Sequence, residues 1–373
     1  MAQMHNNNPE LLKQFDTFVR GIAPEDKVGL FFDDDPDGVC SGSLVVTALK
    51  RIHNKDIAIA LTSSRLAYGM TDEHVKQFKK AGVTKVITCD NAIEEHTEPV
   101  EKIAEFADVL EIDNHAICGT FKRHNILMMK PQLYLTGIDY SKYCTSKLAY
   151  DLFSRHCDLR DRDWVAAAGT IADISTEPWM DWLKEVFHKH KLKLKADLFK
   201  TELGMVCIYI NDAISYDSKN IHEAFDEVLK ARSPRELLDS PLKRYHKAVE
   251  EELQKWTKGI EKDGEWLKDL NVVFYQVAPK FRIKSALSTI LGLKYPHWTI
   301  IISAPEKNNM TLSARRGDKK VAVNRLFQIA LEGLPNAAGG GHIPAAGGGC
   351  RVKDYPVFKH RVVELLKSGF TGL

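Results

Sequence analysis

The chain has 373 residues, 44% of them hydrophobic, which is enough for two cores of ordinary domain size. A net charge of +2 neither requires nor excludes a nucleic-acid partner, so local charge has to decide. Seven cysteines without a C-x-x-C pair argue against a disulfide framework or a zinc site, and no membrane-length apolar run or signal-peptide core is found, so a cytoplasmic protein with no membrane contact is expected.

Residues 1–24 read as a polar tail and one helix, Glu10 to Arg20, with Leu11, Leu12, Phe15 and Phe18 at helical spacing. An apolar run from Val28 to Phe32 then meets Asp33, Asp34, Asp35 and Asp37, with Pro36 and Gly38 punctuating a turn before a helix from Ser43 to Ile52. Carboxylates crowded where a strand hands over to a helix destabilise a fold unless something positive neutralises them. Hard divalent cations with oxygen ligands do this. A strand from Ile57 to Thr62 follows, and Thr71 can cap a helix running to Lys80.

Two further apolar strands repeat the arrangement: Val86 to Cys89 runs into Asp90, and Val109 to Ile112 runs into Asp113-Asn114-His115. Three strands that each end in Asp, with helices between, predict a parallel sheet whose carboxyl edge gathers acids. A helix from Thr145 to Arg155 precedes the segment Trp164 to Ile174, whose small residues permit close packing and which ends in Asp173.

The acid-bearing domain is therefore expected over 25–181. From 182 to 270 the texture is charged and helical, including six lysines against two acids between Lys184 and Lys200, and reads as a connector. A smaller α/β domain is expected over 271–373: strands Val272 to Val277, Trp298 to Ser303 and Met310 to Arg315, and helices Ile283 to Leu293, Val321 to Glu332 and Tyr355 to Ser368. Between the last two helices, Gly339 to Gly349 holds six glycines in eleven positions and reads as a loop. Such a loop lets backbone N–H groups approach an anion, with His342 as an added donor.

Taken together, these residues resemble the DHH phosphoesterase superfamily with its C-terminal DHH-associated domain, and most closely its RecJ-like single-strand nuclease branch. Asp33-x-Asp35-x-Asp37-Gly38 resembles the first motif, Asp90 the second, Asp113-Asn114-His115 the third and Gly169-Thr170-Ile171-Ala172-Asp173 the fourth. Tyr68-Gly69-Met70-Thr71 is similar to the RecJ-type sequence before the second motif. Gly340-Gly341-His342 with Ala345-Ala346-Gly347 resembles the associated domain's signature, and Ser313-Ala314-Arg315 its upstream S-x-R.

The resemblance implies two manganese or magnesium ions held by Asp35, Asp37, Asp90 and Asp173, with Asp90 bridging and Asp33 and Asn114 as further ligands. It implies that His115 contacts the scissile phosphate. It also implies that Arg315, Gly340, Gly341, His342 and Ala345 take a far phosphate or terminal nucleotide in a cleft between the domains. The third motif departs from Asp-His-His at Asn114, where the usual histidine binds metal. Amide oxygen is the weaker ligand for manganese, so one site is expected to lose affinity or shift toward magnesium. Asn91 also stands where a glycine often follows the second-motif aspartate.

The leading expectation is a metal-dependent exonuclease on single-stranded DNA or RNA or short oligonucleotides. A sequence that offers only one helix beyond the glycine-rich stretch, with no further oligonucleotide-binding domain, fits short or RNA substrates. The alternatives are a phosphatase or phosphodiesterase on 3′-phosphoadenosine 5′-phosphate or cyclic dinucleotides, and a non-catalytic RecJ-related subunit that binds a replication or repair partner.

Overall fold

Val28–Phe32, all five residues buried, form β1, an interior strand of a five-stranded parallel sheet. The computed structural model describes residues 4–63 and 69–373. Contacts divide the chain into two units: one runs to Ile214 and includes Ser218–His246, and the other holds Ser215–Asp217 and Lys247–Leu373.

In the first unit α1 (Pro9–Arg20) leads into β1, followed by α2 (Pro36–His53), β2 (Ile59–Thr62), α3 (Asp72–Ala81), β3 (Lys85–Cys89), α4 (Thr97–Ile103), β4 (Asp108–Ile112) and β5 (Ile126–Met129). The order across the sheet is β2-β1-β3-β4-β5, every pair parallel. Alternate residues serve opposite faces. Leu30, Phe32, Ile87 and Leu110 pack with α2, α5 (Thr145–Phe153) and α6 (Asp163–Ala172), whereas Phe31, Val86 and Val109 pack with Phe78 of α3 and Val100 and Ile103 of α4. The register sets Phe32, Cys89 and Ile112 side by side. Asp33, Asp90 and Asp113 therefore leave three adjacent strands at one edge.

The turn expected at Pro36 and Gly38 is instead the first turn of α2. Asp35 is its N-cap, accepting the Gly38 N–H at 2.9 Å, and Pro36 occupies a first-turn position whose N–H would have had no partner. The helix thus begins inside the acidic motif, several residues before Ser43. Thr71 caps α3 in a reciprocal box with His74. Ser64 to Tyr68, and so the first residue of Tyr68-Gly69-Met70-Thr71, lie outside the described residues.

The stretch read as a connector is divided between the units. α7 (Met180–Lys189), α8 (Glu202–Tyr216), α9 (Ile221–Lys230) and α10 (Pro234–Leu238) turn apolar faces into the first core, where Phe225 stacks on Phe32 with ring centroids 4.7 Å apart. Most of α11 (Lys243–Asp263) belongs to the second unit. Within the lysine-rich run, Lys184, Lys189 and Lys200 pair with Asp181, Asp163 and Asp197. Among the described residues no helix is long and apolar enough to cross a membrane.

The second unit contains β6 (Glu265–Leu267), β7 (Val272–Gln276), α12 (Lys284–Lys294), β8 (Thr299–Glu306), β9 (Asn309–Arg315), α13 (Val323–Leu331), β10 (Ala338–His342), β11 (Ala345–Arg351) and α14 (Tyr355–Lys367). Its sheet runs β10-β11-β9-β8-β7-β6, with β7 and β8 parallel and the other pairs antiparallel. Val273, Tyr275, Ile300 and Ile302 face α11 and α12, while Phe274, Ile301, Leu312 and Ala314 face α13 and α14. The glycine-rich stretch expected as a loop is a hairpin, β10 and β11 joined through Ile343 and Pro344. Glycine keeps its backbone donor and acceptor, so the ladder forms. A side chain at Gly339 would fall 2.7 Å from Leu331 on the covered face.

Candidate active site

At the sheet edge Asp33, Asp35 and Asp90 present carboxylate oxygens within 4.8 Å of one another, and Asp90, Asp113 and His115 form a second such group. Asp90 is common to both. Its backbone turns sharply off β3, at φ +60°, which Asp tolerates better than most residues. Asp33 accepts from the Ser63 hydroxyl and from Asn91 Nδ2 at 3.3 Å.

Asp37 enters from the first turn of α2 and is capped by another helix. The N–H groups of Thr145 and Ser146, at the start of α5, donate to its two oxygens at 2.8 and 3.0 Å. Thr145 Oγ1 stands 3.0 Å from Asp90 Oδ1 and 3.1 Å from Asn114 Oδ1, its single proton serving one of them at a time. Nothing in the sequence singled out Thr145 and Ser146. Their signal was position, two small polar residues opening an amphipathic helix.

Asp173 follows the last turn of α6 at the rim of the cluster, an exposed residue whose carboxyl is nonetheless crowded by its neighbours. The glycine of its motif is required by a close approach. A methyl group at Gly169 would overlap Ser146 Oγ and lie 2.6 Å from Asp37 Oδ1. Gly169→Ala is expected to cost about 1–3 kcal/mol in urea unfolding, because the interior has no room to yield. An unchanged unfolding midpoint would refute that contact.

The charges of these acids are poorly matched. Burial, then Asp173 and Asp35, push the Asp37 carboxyl up to about 8. Burial, then Asp35, push Asp33 up to about 6, and partial burial of its carboxyl, then Asp35, raise Asp173 to about 6 as well. Asp90 is raised by burial and by Asp37 and Asp35. Carboxylates raised together in this way lack the positive charge their number calls for. A divalent cation with oxygen ligands supplies it, so the donor set fits the metal that the sequence implies.

One member of the edge is different. Burial would raise Asp113, but hydrogen bonds and charge from His115 and Lys130 outweigh it and hold the carboxyl below the usual range. Asp113 accepts from His115 Nδ1 at 2.7 Å and from Lys130 Nζ at 2.7 Å. Lys130, fully buried just beyond β5, also pairs with Glu94 and lies 3.6 Å from Glu111, whose carboxyl burial pushes up. The hydrogen bond to Asp113 raises His115 to about 9, so the imidazole carries a proton at neutral pH. Lys130 escaped the sequence reading, although a lysine directly after an apolar strand on an acidic edge was its signal.

In the second unit the strand register assembles the other group. Arg315 on β9, Ala345 on β11 and His342 on β10 are direct cross-strand partners, and so share one face. Ser313, Gly347 and Gly340 form the next row on that face. A side chain at Gly340 or Gly347 would meet nothing within 4 Å, so the backbone there lies open. Gly341 points to the opposite face, and its φ of +129° and tight approach to the Ala345 carbonyl require glycine. Of the five residues expected to bind substrate here, Arg315, Gly340, His342 and Ala345 come together, and Gly341 shapes the turn.

Comparison with known proteins bears on the fold. The family model described as DHH family, N-terminal domain, matches residues 27–174. None of the curated proteins matches the chain. Among solved structures, RecJ from Thermus thermophilus in complex with Mn2+ superposes with a TM-score of 0.67 at 17% identity, covering 96% of this chain and 54% of that one. The DHH domain of PF0399, a member of the s1p family of ribosomal proteins, gives 0.71 at 18% identity over 96% and 91%. CDC45 from Entamoeba histolytica gives 0.57 at 10% identity over 95% and 99%. At these identities the likeness is one of fold, and the chain spans about half the length of the Thermus RecJ.

Proposed function

We propose that this chain, which carries a DHH domain over residues 27–174 in a RecJ-like fold, is a divalent-metal-dependent phosphodiesterase that removes nucleotides from single-stranded DNA or RNA or from short oligonucleotides. The observation that carries the reading is the row of Asp33, Asp90 and Asp113 at the ends of three adjacent parallel strands, with Asp35 brought within 4.8 Å of Asp33 and Asp90.

Asp33, Asp35, Asp37, Asp90 and Asp173 would hold two Mn2+ or Mg2+ ions, with Asn114 beside them. When bound, paired ions activate a water and offset charge on the phosphoryl group during in-line displacement. His115 has its Nδ1 engaged by Asp113, so Nε2 is the edge left to donate to a phosphoryl oxygen. In the second unit, taken by itself, Arg315 offers a planar fork suited to a phosphate. The open backbone at Gly340 and Gly347 would let such a group come close, and His342 adds a donor.

End-labelled DNA and RNA strands of about a dozen nucleotides, incubated with Mn2+, Mg2+ or EDTA, test the reading. Mononucleotide release with either metal and none in EDTA is expected. Faster turnover of 3′-phosphoadenosine 5′-phosphate than of the strands would move the assignment to a small-nucleotide phosphatase. Asn114 favours one other reading, a non-catalytic subunit with a replication or repair partner; calorimetry showing no divalent binding at neutral pH would select it. Asn114→His is expected to raise the Mn2+-supported rate by roughly tenfold at limiting metal, because imidazole is the better manganese ligand. A loss of rate in that variant would show that the hydrogen bond Asn114 accepts from Thr145 matters more than ligation.

A further inference from the structure

Ile174 stands where both its backbone and its side chain are unfavourable. Helix α6 closes in a Schellman turn, in which the N–H of Ile174 bonds the Ile171 carbonyl at 3.1 Å and that of Ser175 bonds the Thr170 carbonyl at 3.2 Å. That turn puts Ile174 at φ +54°, a conformation that glycine or asparagine adopts far more readily than a β-branched residue. The side chain gains nothing in return from the core, since Ile174 is 68% exposed. A glycine would suit the turn better, and a polar residue would suit the solvent better.

Backbone strain clusters at ligand sites, and an exposed aliphatic group beside one is suited to covering apolar surface on a ligand. Ile174 directly follows Asp173, on the solvent-facing rim of the acid cluster. Ile117, two residues beyond His115 and 41% exposed, adds a second apolar side chain on a segment leading out of the same cluster. The flat apolar part of a nucleotide is its base.

We infer that Ile174 is a substrate-contact residue that packs against the face of the nucleobase attached to the phosphate brought to the acid cluster, so that the protein favours a terminal nucleotide carrying a base over one without. This rests on the phosphodiesterase reading. Contact with an aliphatic side chain tolerates every base, since each has an apolar face, and aliphatic side chains are used against bases elsewhere in nucleic-acid recognition.

Ile174→Asn and Ile174→Gly test it, because both relieve the backbone while removing the contact. Expected are an equal or higher thermal midpoint and a KM for a fluorescein-labelled DNA strand in Mn2+ raised roughly five- to thirtyfold, with kcat within about threefold. A strand with abasic residues at both ends should be disfavoured by wild type by a similar factor, and equally accepted by the variants. A lower midpoint would assign the side chain to the fold and overturn the inference, as would an unchanged KM with base preference intact. Base-dependent binding without hydrolysis, lost in the variants, would uphold Ile174 as the contact while overturning the enzymatic reading. Neither binding nor hydrolysis of any strand by wild type would overturn both.

Discussion

Asp90→Asn is expected to lower metal-supported hydrolysis by roughly a thousandfold and, at the same time, to raise the thermal midpoint of the protein in EDTA. The two effects share one cause. Asp90 is 5% exposed, lies in both acid groups and is raised by burial and by the charges of Asp37 and Asp35, so its carboxylate opposes the metal-free fold and serves the loaded one. Asparagine matches its shape, tolerates the positive φ, and keeps an oxygen to accept from Thr145 Oγ1. The charge disappears, and one acceptor oxygen becomes an N–H donor. Initial rates on labelled strands and calorimetric unfolding in EDTA read the two arms separately. A variant as active as wild type, or one that unfolds at a lower temperature in EDTA, would remove Asp90 from its shared position.

In the absence of metal, stability is expected to fall as pH rises from about 4 to about 8, and the stabilisation conferred by Mn2+ to grow over the same interval. Asp33 keeps its proton to about 6 and Asp37 to about 8 in the folded chain, whereas both release it near 3.8 when unfolded. Between those limits the folded state binds more protons than the unfolded state, so each rise in pH favours unfolding. His115 acts in the same direction: its folded value of about 9 lies above the ordinary 6.5, and the stability of its bond to Asp113 is lost as pH climbs through that range. With each unit worth about 1.4 kcal/mol, the acid groups together carry on the order of several kcal/mol. A divalent ion binds the deprotonated carboxylates and removes the cost. Thermal midpoints with EDTA and with Mn2+ at about pH 5.5 and about pH 7.5 measure the difference. An equal metal-induced rise at both values would mean that these acids do not hold the ion.

Several elements of the site were legible in the residues. Apolar runs that end in Asp33, Asp90 and Asp113 can hardly be anything but strands delivering acids to the carboxyl edge of a parallel sheet, and β1, β3 and β4 pair in that arrangement. Asp173 after a small-residue helix was legible for the same kind of reason, since Ala166 to Gly169 are too small to fill space except against another helix. The glycine-rich stretch was misread in form. Composition speaks to what glycine permits, and a hairpin and a loop permit the same residues. Lys130, Thr145 and Ser146 carry no signal by type, because lysine and small hydroxyl residues are common everywhere in the chain.

The sequence by itself determined the periodicities, and with them a parallel acid-edged sheet, a second α/β unit, and the identity of the carboxylates. Those follow from properties each residue carries alone: apolar or charged, β-branched or small. Which acids share a neighbour was decided only in three dimensions, by the register that sets Phe32, Cys89 and Ile112 abreast and by the helix start that caps Asp37. The raised Asp33 and Asp37, the lowered Asp113 and the protonated His115 follow from that placement. A charge depends on burial and on the distance to other charges, and neither is written in the order of residues along the chain.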